Sequence, residues 1–471
     1  MTRTWIQIGA SALAGLVVFA GLAAPAAAAS SAHYTGTLPD GGKWVADVPS
    51  NWNGTLVEFS HGLIANVAVD APDPFLWADL LKAGYALVGS SYDPTGPLWA
   101  MNSALTDQFE ALAAVENTAL PAPPTSVIEL GESMGGLVSA LMDQESDGRI
   151  SGALTVCGLV SGGVAQDNFM LDGSYAIDQL LDPGQEIQIA GYENSQQASA
   201  AAAELQQVAE AAQATPQGRA RLALASALYN VSTWTATALG NINLNPTIKV
   251  PPLPPPPGDY DQWEQEQYNT EYASGDVTLG LVNDNSQSIE QAVGGQPAWD
   301  TGVDFTAVLD SSPYEPEVAA LYQEAGLSLS ADLQTLTQDA DISANPTALD
   351  NLISTSVPTG QLEVPELTIH NVADEIIPVQ EESFYQQLVS SAGDGDLLRQ
   401  AYVFRPGHCS FTPAEEIAGL QALQYRISTG SWGSAASPSS LNAAARALDE
   451  GRAAYVQYTP PALTGANEPT P

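Results

Sequence analysis

Residues 126–143 read Ser-Val-Ile-Glu-Leu-Gly-Glu-Ser-Met-Gly-Gly-Leu-Val-Ser-Ala-Leu-Met-Asp. The apolar run Ser126 to Leu130 predicts a strand, Gly131-Glu132-Ser133-Met134-Gly135 a sharp turn, and the residues after it a helix. A serine at the apex of such a unit can act as a nucleophile, because the turn lifts its hydroxyl clear of the sheet. The flanking positions must lack bulk, which Gly131 and Gly135 supply, and Gly136 lets the helix pack close to the sheet. A bare G-x-S-x-G also occurs as an inert turn. Its strand–turn–helix context and its partners elsewhere in the chain give it chemical meaning.

A nucleophilic serine needs a base, and the chain has four histidines, His33, His61, His370 and His408. His33 sits among N-terminal strands, and His61 and His370 end predicted strands. His408 lies in Arg405-Pro-Gly-His-Cys-Ser410, a loop straight after a strand. A loop at the carboxyl end of a parallel strand can carry a base over the turn, so His408 is the candidate. The base needs a carboxylate to fix its tautomer and stabilise the imidazolium. Asp374, four residues past the strand end at His370 and before an Ile-Ile-Pro turn, is the favoured residue. Glu375 and Asp167 are the alternatives. An oxyanion needs preorganised N–H donors. The backbone of Met134, at the helix start, and of Leu63, after Gly62, are the candidates, with His61 shaping the loop.

The charge balance is extreme: 12 Lys and Arg against 54 Asp and Glu, a formal net charge of −42. Such a surface repels nucleic acid and anionic membranes and disfavours strongly anionic substrates. It reads as the solubility adaptation of a secreted protein. The first 29 residues fit a secretory leader: Arg3, an apolar stretch Ile8 to Leu22, and Ala27-Ala28-Ala29 before Ser30. The expectation is a secreted, extracellular protein with no membrane anchor after cleavage. In an oxidising compartment the two cysteines, Cys157 and Cys409, read as one disulfide, with two buried thiols as the alternative. Zinc-type ligand spacing, a Gly-rich phosphate loop and a dinucleotide fingerprint are all missing from the sequence. Neither a cofactor nor a metal is therefore expected. The sequence leaves the oligomeric state open.

The elements that must position these residues alternate. Residues 33–62 predict a strand meander with a turn at Asn51-Trp-Asn-Gly54 and a strand Thr55 to Ser60. A helix from Pro72 to Ala83, a strand Tyr85 to Ser90 and a helix Met101 to Leu120 follow. After the turn at Ser133 comes a strand Gly152 to Val160. Strands and helices at this spacing imply a mostly parallel sheet with helices on both faces. Beyond residue 165 the character changes. Residues 194–229 are Ala/Gln/Glu-rich and helical, 246–258 is a proline tract, and Tyr260, Trp263, Tyr268 and Tyr272 follow on a helical segment. Tyr260 and Trp263 are candidates to line a substrate cleft, with packing inside the insertion as the alternative. The alternation resumes at Glu366 to His370. The expected organisation is a leader 1–29, a core 30–165 and 345–458, a mostly helical insertion 166–344, and a flexible tail 459–471.

Taken together, His61-Gly62, Gly131-Glu-Ser-Met-Gly135, Asp374-x-x-x-Pro378 and Gly407-His408, in that order, resemble the secreted α/β-hydrolase-fold serine hydrolases of the esterase/lipase-like, actinobacterial type. The resemblance covers about 30–165 and 345–430. It implies an α/β-hydrolase fold with the insertion as a cap between the sixth and seventh strands. It also implies a Ser133–His408–Asp374 triad that cleaves carboxylic esters, small or polymeric, with bulky, apolar or aromatic groups. A peptidase of the same fold and a non-catalytic binding protein are the competing implications. A narrower likeness concerns Cys409. Tannases and feruloyl esterases of one family place a Cys after the His and join it to a Cys directly before the Ser. Here Glu132 precedes Ser133, and Cys157, at the end of the next strand, is the available partner.

Overall fold

A computed structural model describes residues 30–64, 66–184, 187–235, 253–273, 278–448 and 453–465. The expected leader, the start of the proline tract and the last six residues of the expected tail lie outside them.

Nine strands form one sheet: β1 (Ser31–Thr37), β2 (Lys43–Pro49), β3 (Thr55–Ser60), β4 (Ala86–Ser90), β5 (Ser126–Glu132), β6 (Gly152–Val156), β7 (Glu366–Ala373), β8 (Leu398–Pro406) and β9 (Tyr455–Val456). Their order is β1-β2-β4-β3-β5-β6-β7-β8-β9. From β4 to β8 every pairing is parallel, and β1–β2, β2–β4 and β8–β9 are antiparallel. Parallel strands covered on both faces read as continuous buried runs. β3, β4 and β6 do so, with every residue buried. The expected meander is corrected here. β2 pairs with β4 rather than with β3, because helix α1 (Pro74–Ala83) crosses over and sets β4 between them. α1 is bounded by local chemistry: Asp73 accepts from the Phe75 and Leu76 N–H groups, and Gly84 closes it in a left-handed conformation.

Helices α2 (Ala104–Thr118) and α3 (Met134–Gln144) pack on one face of the sheet. Between β6 and β7 come α4 (Gly163–Leu181), α5 (Ser195–Ala212), α6 (Pro216–Leu228), α7 (Tyr260–Glu271), α8 (Thr278–Val293), α9 (Phe305–Ser311), α10 (Glu315–Ala325), α11 (Leu329–Asp339) and α12 (Pro346–Ser356). This insertion has an apolar core of its own, built on Phe169, Leu205, Leu224, Phe305 and Leu336 among others. α13 (Gln380–Ala392), α14 (Pro413–Thr429) and α15 (Pro438–Leu448) complete the core, α14 and α15 on the face shared with α1. α14 begins with a capping box, Thr412 and Glu415 each bonding the other's backbone. Residues 459–465 run back to the insertion: Thr464 is buried and exchanges two hydrogen bonds of 2.9 Å with Asn230. Among the described residues, no helix is long and apolar enough to cross a membrane.

Candidate active site

β5 ends in the sharp turn anticipated at Ser133. Ser133 has φ 59° and ψ −125°, a conformation that costs energy in a residue with a Cβ and is characteristic of functional turns. The turn fits because its neighbours are small. A Cβ on Gly131 would lie 1.9 Å from the Gly135 carbonyl oxygen, and one on Gly135 would lie 1.9 Å from that of Ser60. The Ser133 N–H is held by the Val156 carbonyl at 3.1 Å.

The loop after β8 brings His408 to this apex. His408 Nε2 lies 2.9 Å from Ser133 Oγ, and Nδ1 lies 3.0 and 2.9 Å from the two carboxylate oxygens of Asp374. Asp374 itself follows β7, and its Oδ1 accepts the Ile376 and Ile377 N–H groups at 2.9 Å each. Burial opposes ionisation of Asp374. The His408 and His370 rings and the Ile377 N–H outweigh it and hold the carboxyl below its usual range. The His408 loop is pinned on its far side. Arg405 donates to the Ser410 carbonyl at 2.6 Å and pairs with Glu415, while Asn371 bonds both backbone groups of Ser410.

Cys157 and Cys409 are joined by a disulfide, with Cα atoms 5.3 Å apart. The bridge sits against the histidine it follows, Cys409 Sγ lying 3.3 Å from His408 Nε2. Both cysteines have positive φ, 44° and 47°. β6 stops at Val156, so the strand expected to reach Val160 ends just before the bridge. Cys157, His408 and Cys409 converge as a metal set might, but two sulfurs bonded to each other offer no thiolate to an ion.

Gly62 lies against the serine: a Cβ there would be 3.0 Å from Ser133 Cβ. The next residue, Leu63, and Met134, the first residue of α3, both line the cleft. As the first residue of a helix, Met134 stands where backbone N–H groups have no intrahelical acceptor. His61 bonds the Gly62 carbonyl at 2.8 Å and its ring lies 4.0 Å from that of Tyr92. Burial lowers its pKa to about 4, so it is a neutral part of this loop.

The cleft above Ser133 encloses about 410 Å³. A larger hollow of about 880 Å³ between α4, α5 and α6 contains none of these residues. Tyr260 and Trp263 do not line the cleft. Their rings meet edge to face 5.5 Å apart on α7, Tyr260 packs on the insertion's own core, and Trp263 Nε1 donates to the Pro256 carbonyl. The α7 residue that reaches the cleft is Glu271, joined by Gln166, Phe169 and Met170 of α4 and Asn285 of α8. Asp167 lies on α4 and accepts from Ser286 at 2.7 Å, away from His408's partners. Glu375 lines the cleft, and burial raises it to about 8, while Asp374 holds the imidazole. The sequence reading missed these insertion residues, since nothing local distinguishes a helix face turned to the cleft from one turned to the insertion's core.

The strand order and the serine turn define the α/β-hydrolase fold, with a serine, a histidine and an aspartate meeting at its carboxyl edge. No family model matches the chain. In sequence it is similar to the o-phthalyl amidase of Xanthobacter agilis, 29% identical over 446 residues that cover 88% of this chain and 91% of that protein. In structure it is similar to an acylaminoacyl peptidase, solved with Z-Gly-Gly-Phe-chloromethyl ketone, at 9% identity and a TM-score of 0.40, covering 84% of this chain and 42% of that one. It is also similar to feruloyl esterase B from Aspergillus oryzae, at 14% identity and a TM-score of 0.42, covering 84% of this chain and 80% of that one. This chain thus spans about two fifths of the peptidase's length.

Proposed function

We propose that the chain is a secreted serine hydrolase that cleaves carboxylic esters through an acyl-enzyme. The carrying observation is the continuous chain of hydrogen bonds from Ser133 Oγ through His408 to Asp374. His408 takes the serine proton as Oγ attacks the ester carbonyl. Asp374 fixes the ring's tautomer and stabilises the imidazolium. The oxyanion is met by the Leu63 and Met134 N–H groups. His408 then gives the proton to the departing alcohol, and water, activated by the same ring, releases the acid. The mostly apolar cleft walls suit a bulky, apolar or aromatic ester. The disulfide agrees with an oxidising, extracellular destination.

A second reading is favoured by one finding. The similarity to an amidase extends over 88% of the chain, so amide cleavage by the same three residues is the alternative. The deciding experiment assays purified protein and its Ser133→Ala variant on p-nitrophenyl esters of increasing acyl length, phenolic esters and aminoacyl-anilides. Esters turned over at least a hundredfold faster than matched anilides support the first reading. Anilides turned over faster support the second. Activity that persists in Ser133→Ala overturns both.

A further inference from the structure

The six acidic side chains that line the cleft are Asp73, Glu132, Glu271, Asp374, Glu375 and Glu416, and among the described residues no Arg or Lys lines it. Five of these acids lie on the core side of the cleft, where Glu375 and Glu416 each keep one buried oxygen, Oε2, without a hydrogen-bond partner. Asp374 holds His408, Asp73 caps α1, and Glu132 and Glu416 hydrogen-bond each other. Glu375 is held by the backbone of Gly407 and His408. Glu271 is the one of the six that comes from the insertion. It is the last residue of α7, 4% exposed, and its Oε1 has no hydrogen-bond partner. Burial alone pushes its carboxyl up to about 8. Nearby, Gln166 of α4 is also buried against the cleft with its Oε1 unpartnered, its amide nitrogen turned to Met170 Sδ. A buried acceptor without a donor is destabilising, so its presence at a cavity wall calls for a donor that arrives with the ligand. Both acceptors belong to the insertion, on a wall they share with Phe169, Met170, Val231 and Val282 and with Tyr229, Asn230 and Asn285.

We infer that the insertion selects substrates whose end remote from the scissile bond carries an amino group, bound by Glu271, and that the cleft rejects substrates carrying a carboxylate there. The inference rests on the hydrolase reading and names its substrate class. An ammonium beside Glu271 would draw the carboxyl into its charged form and make a charge-assisted bond in a dry setting. A carboxylate would meet acids and unpartnered acceptors, with no cation to receive it.

The test uses three p-nitrophenyl esters of equal length: 6-aminohexanoate, heptanoate and adipate. The expected order of kcat/KM at pH 7.5 is amino over neutral by at least about tenfold, with the carboxylate ester slowest, in line with a hydrogen bond to a charged group. In Glu271→Gln the amino-to-neutral ratio should fall to within about twofold. A preference that comes only from the overall negative charge would survive that substitution, and its survival overturns the inference, as does a wild type without the preference. Binding is read without turnover on Ser133→Ala protein. Hexylammonium should raise its thermal midpoint and hexanoate should not, with the effect of hexylammonium lost in the Ser133→Ala/Glu271→Gln protein. Equal stabilisation by both ions, or by neither, sinks the substrate class. Loss of ester turnover with the hexylammonium effect intact would overturn the ester reading alone.

Discussion

Asp374 stands between two histidines: His408 Nδ1 lies 2.9 Å from its Oδ2, and His370 Nε2 lies 3.8 Å from the same oxygen on the buried side. His370 has an acceptor at each ring nitrogen, Glu382 Oε1 at 3.3 Å and the Ile377 carbonyl at 3.0 Å. A ring so placed carries a proton on both nitrogens. Burial works against that charge, but Glu382, by hydrogen bond and by charge, and then Asp374 raise the pKa to about 9. The proposed catalytic acid is thus backed by a fixed cation.

Asp374→Asn should lower kcat on the order of 10⁴-fold, by favouring the wrong tautomer of His408. Asp167→Asn, which alters the hydrogen bond between α4 and Ser286 of α8, should cost less than about tenfold. Steady-state kinetics on both decide it: a near-silent Asp374→Asn beside a crippled Asp167→Asn would reassign the acid.

His370→Asn should remove a stabilisation that depends on pH. The folded pKa, about 9, lies above the ordinary histidine value near 6.5, so the contribution is complete below about pH 6.5 and is lost as pH rises through 9. The full effect is roughly 3 kcal/mol. Melting curves of wild type and variant should therefore lie far apart at pH 6 and draw together by pH 9. A constant gap across that range would show that His370 is neutral in the native protein.

Glu58 and Glu129 face each other in register on β3 and β5, both fully buried. Burial, and for Glu58 the neighbouring Glu129, pushes both carboxyls up, Glu129 to about 8. Glu381 is likewise raised by burial to about 8. The unfolded chain releases these protons near pH 4.5, whereas the native chain keeps those of Glu129 and Glu381 until about pH 8 and holds that of Glu58 well above the ordinary range. Stability present below pH 4.5 is therefore lost as pH rises to 8. Thermal midpoints should fall between pH 5 and pH 8, and Glu129→Gln, which mimics the neutral acid, should flatten that fall. An unchanged slope in the variant would place the effect elsewhere.

Reducing the Cys157–Cys409 bridge should lower turnover before the protein unfolds, because Cys409 is next to His408 in the chain and in contact with its ring. The loss of stability is about 5 kcal/mol in the chain-entropy model for a sequence separation of 252. Activity and near-UV circular dichroism, followed together during titration with dithiothreitol, test this. Coincident loss of both signals would make the bridge purely structural.

Much of this site is written locally. A turn between a strand and a helix, and two loops straight after strands, placed Ser133, Asp374 and His408 on one edge once the strands were taken as parallel, and the two cysteines came with them. What escaped the sequence depends on distant partners. The insertion of β4 between β2 and β3 is decided by the crossing of α1, not by the residues of β2 or β3. Tyr260 and Trp263 were candidates for the cleft or for packing inside the insertion; α7 turns their rings to each other, packs Tyr260 on the insertion's core and brings Glu271 to the cleft instead. His370 was expected to end its strand, but β7 runs on to Ala373 and holds His370 inside it, and its partner Glu382 lies on α13, which no spacing rule connects to it. Residues 459–465 look too polar and proline-rich to fold alone, and Asn230 holds Thr464 in place.

The bridge has one further consequence, for protease damage. Everything from Cys157 to Cys409, the whole insertion included, is a single covalent ring. A peptide bond cut among the exposed residues Pro256 to Asp259 would leave Ser133 on one fragment and Asp374 and His408 on the other, yet the two would stay tied. Nicked protein would run as one species on a non-reducing gel and as two after reduction. The insertion could be opened without being shed.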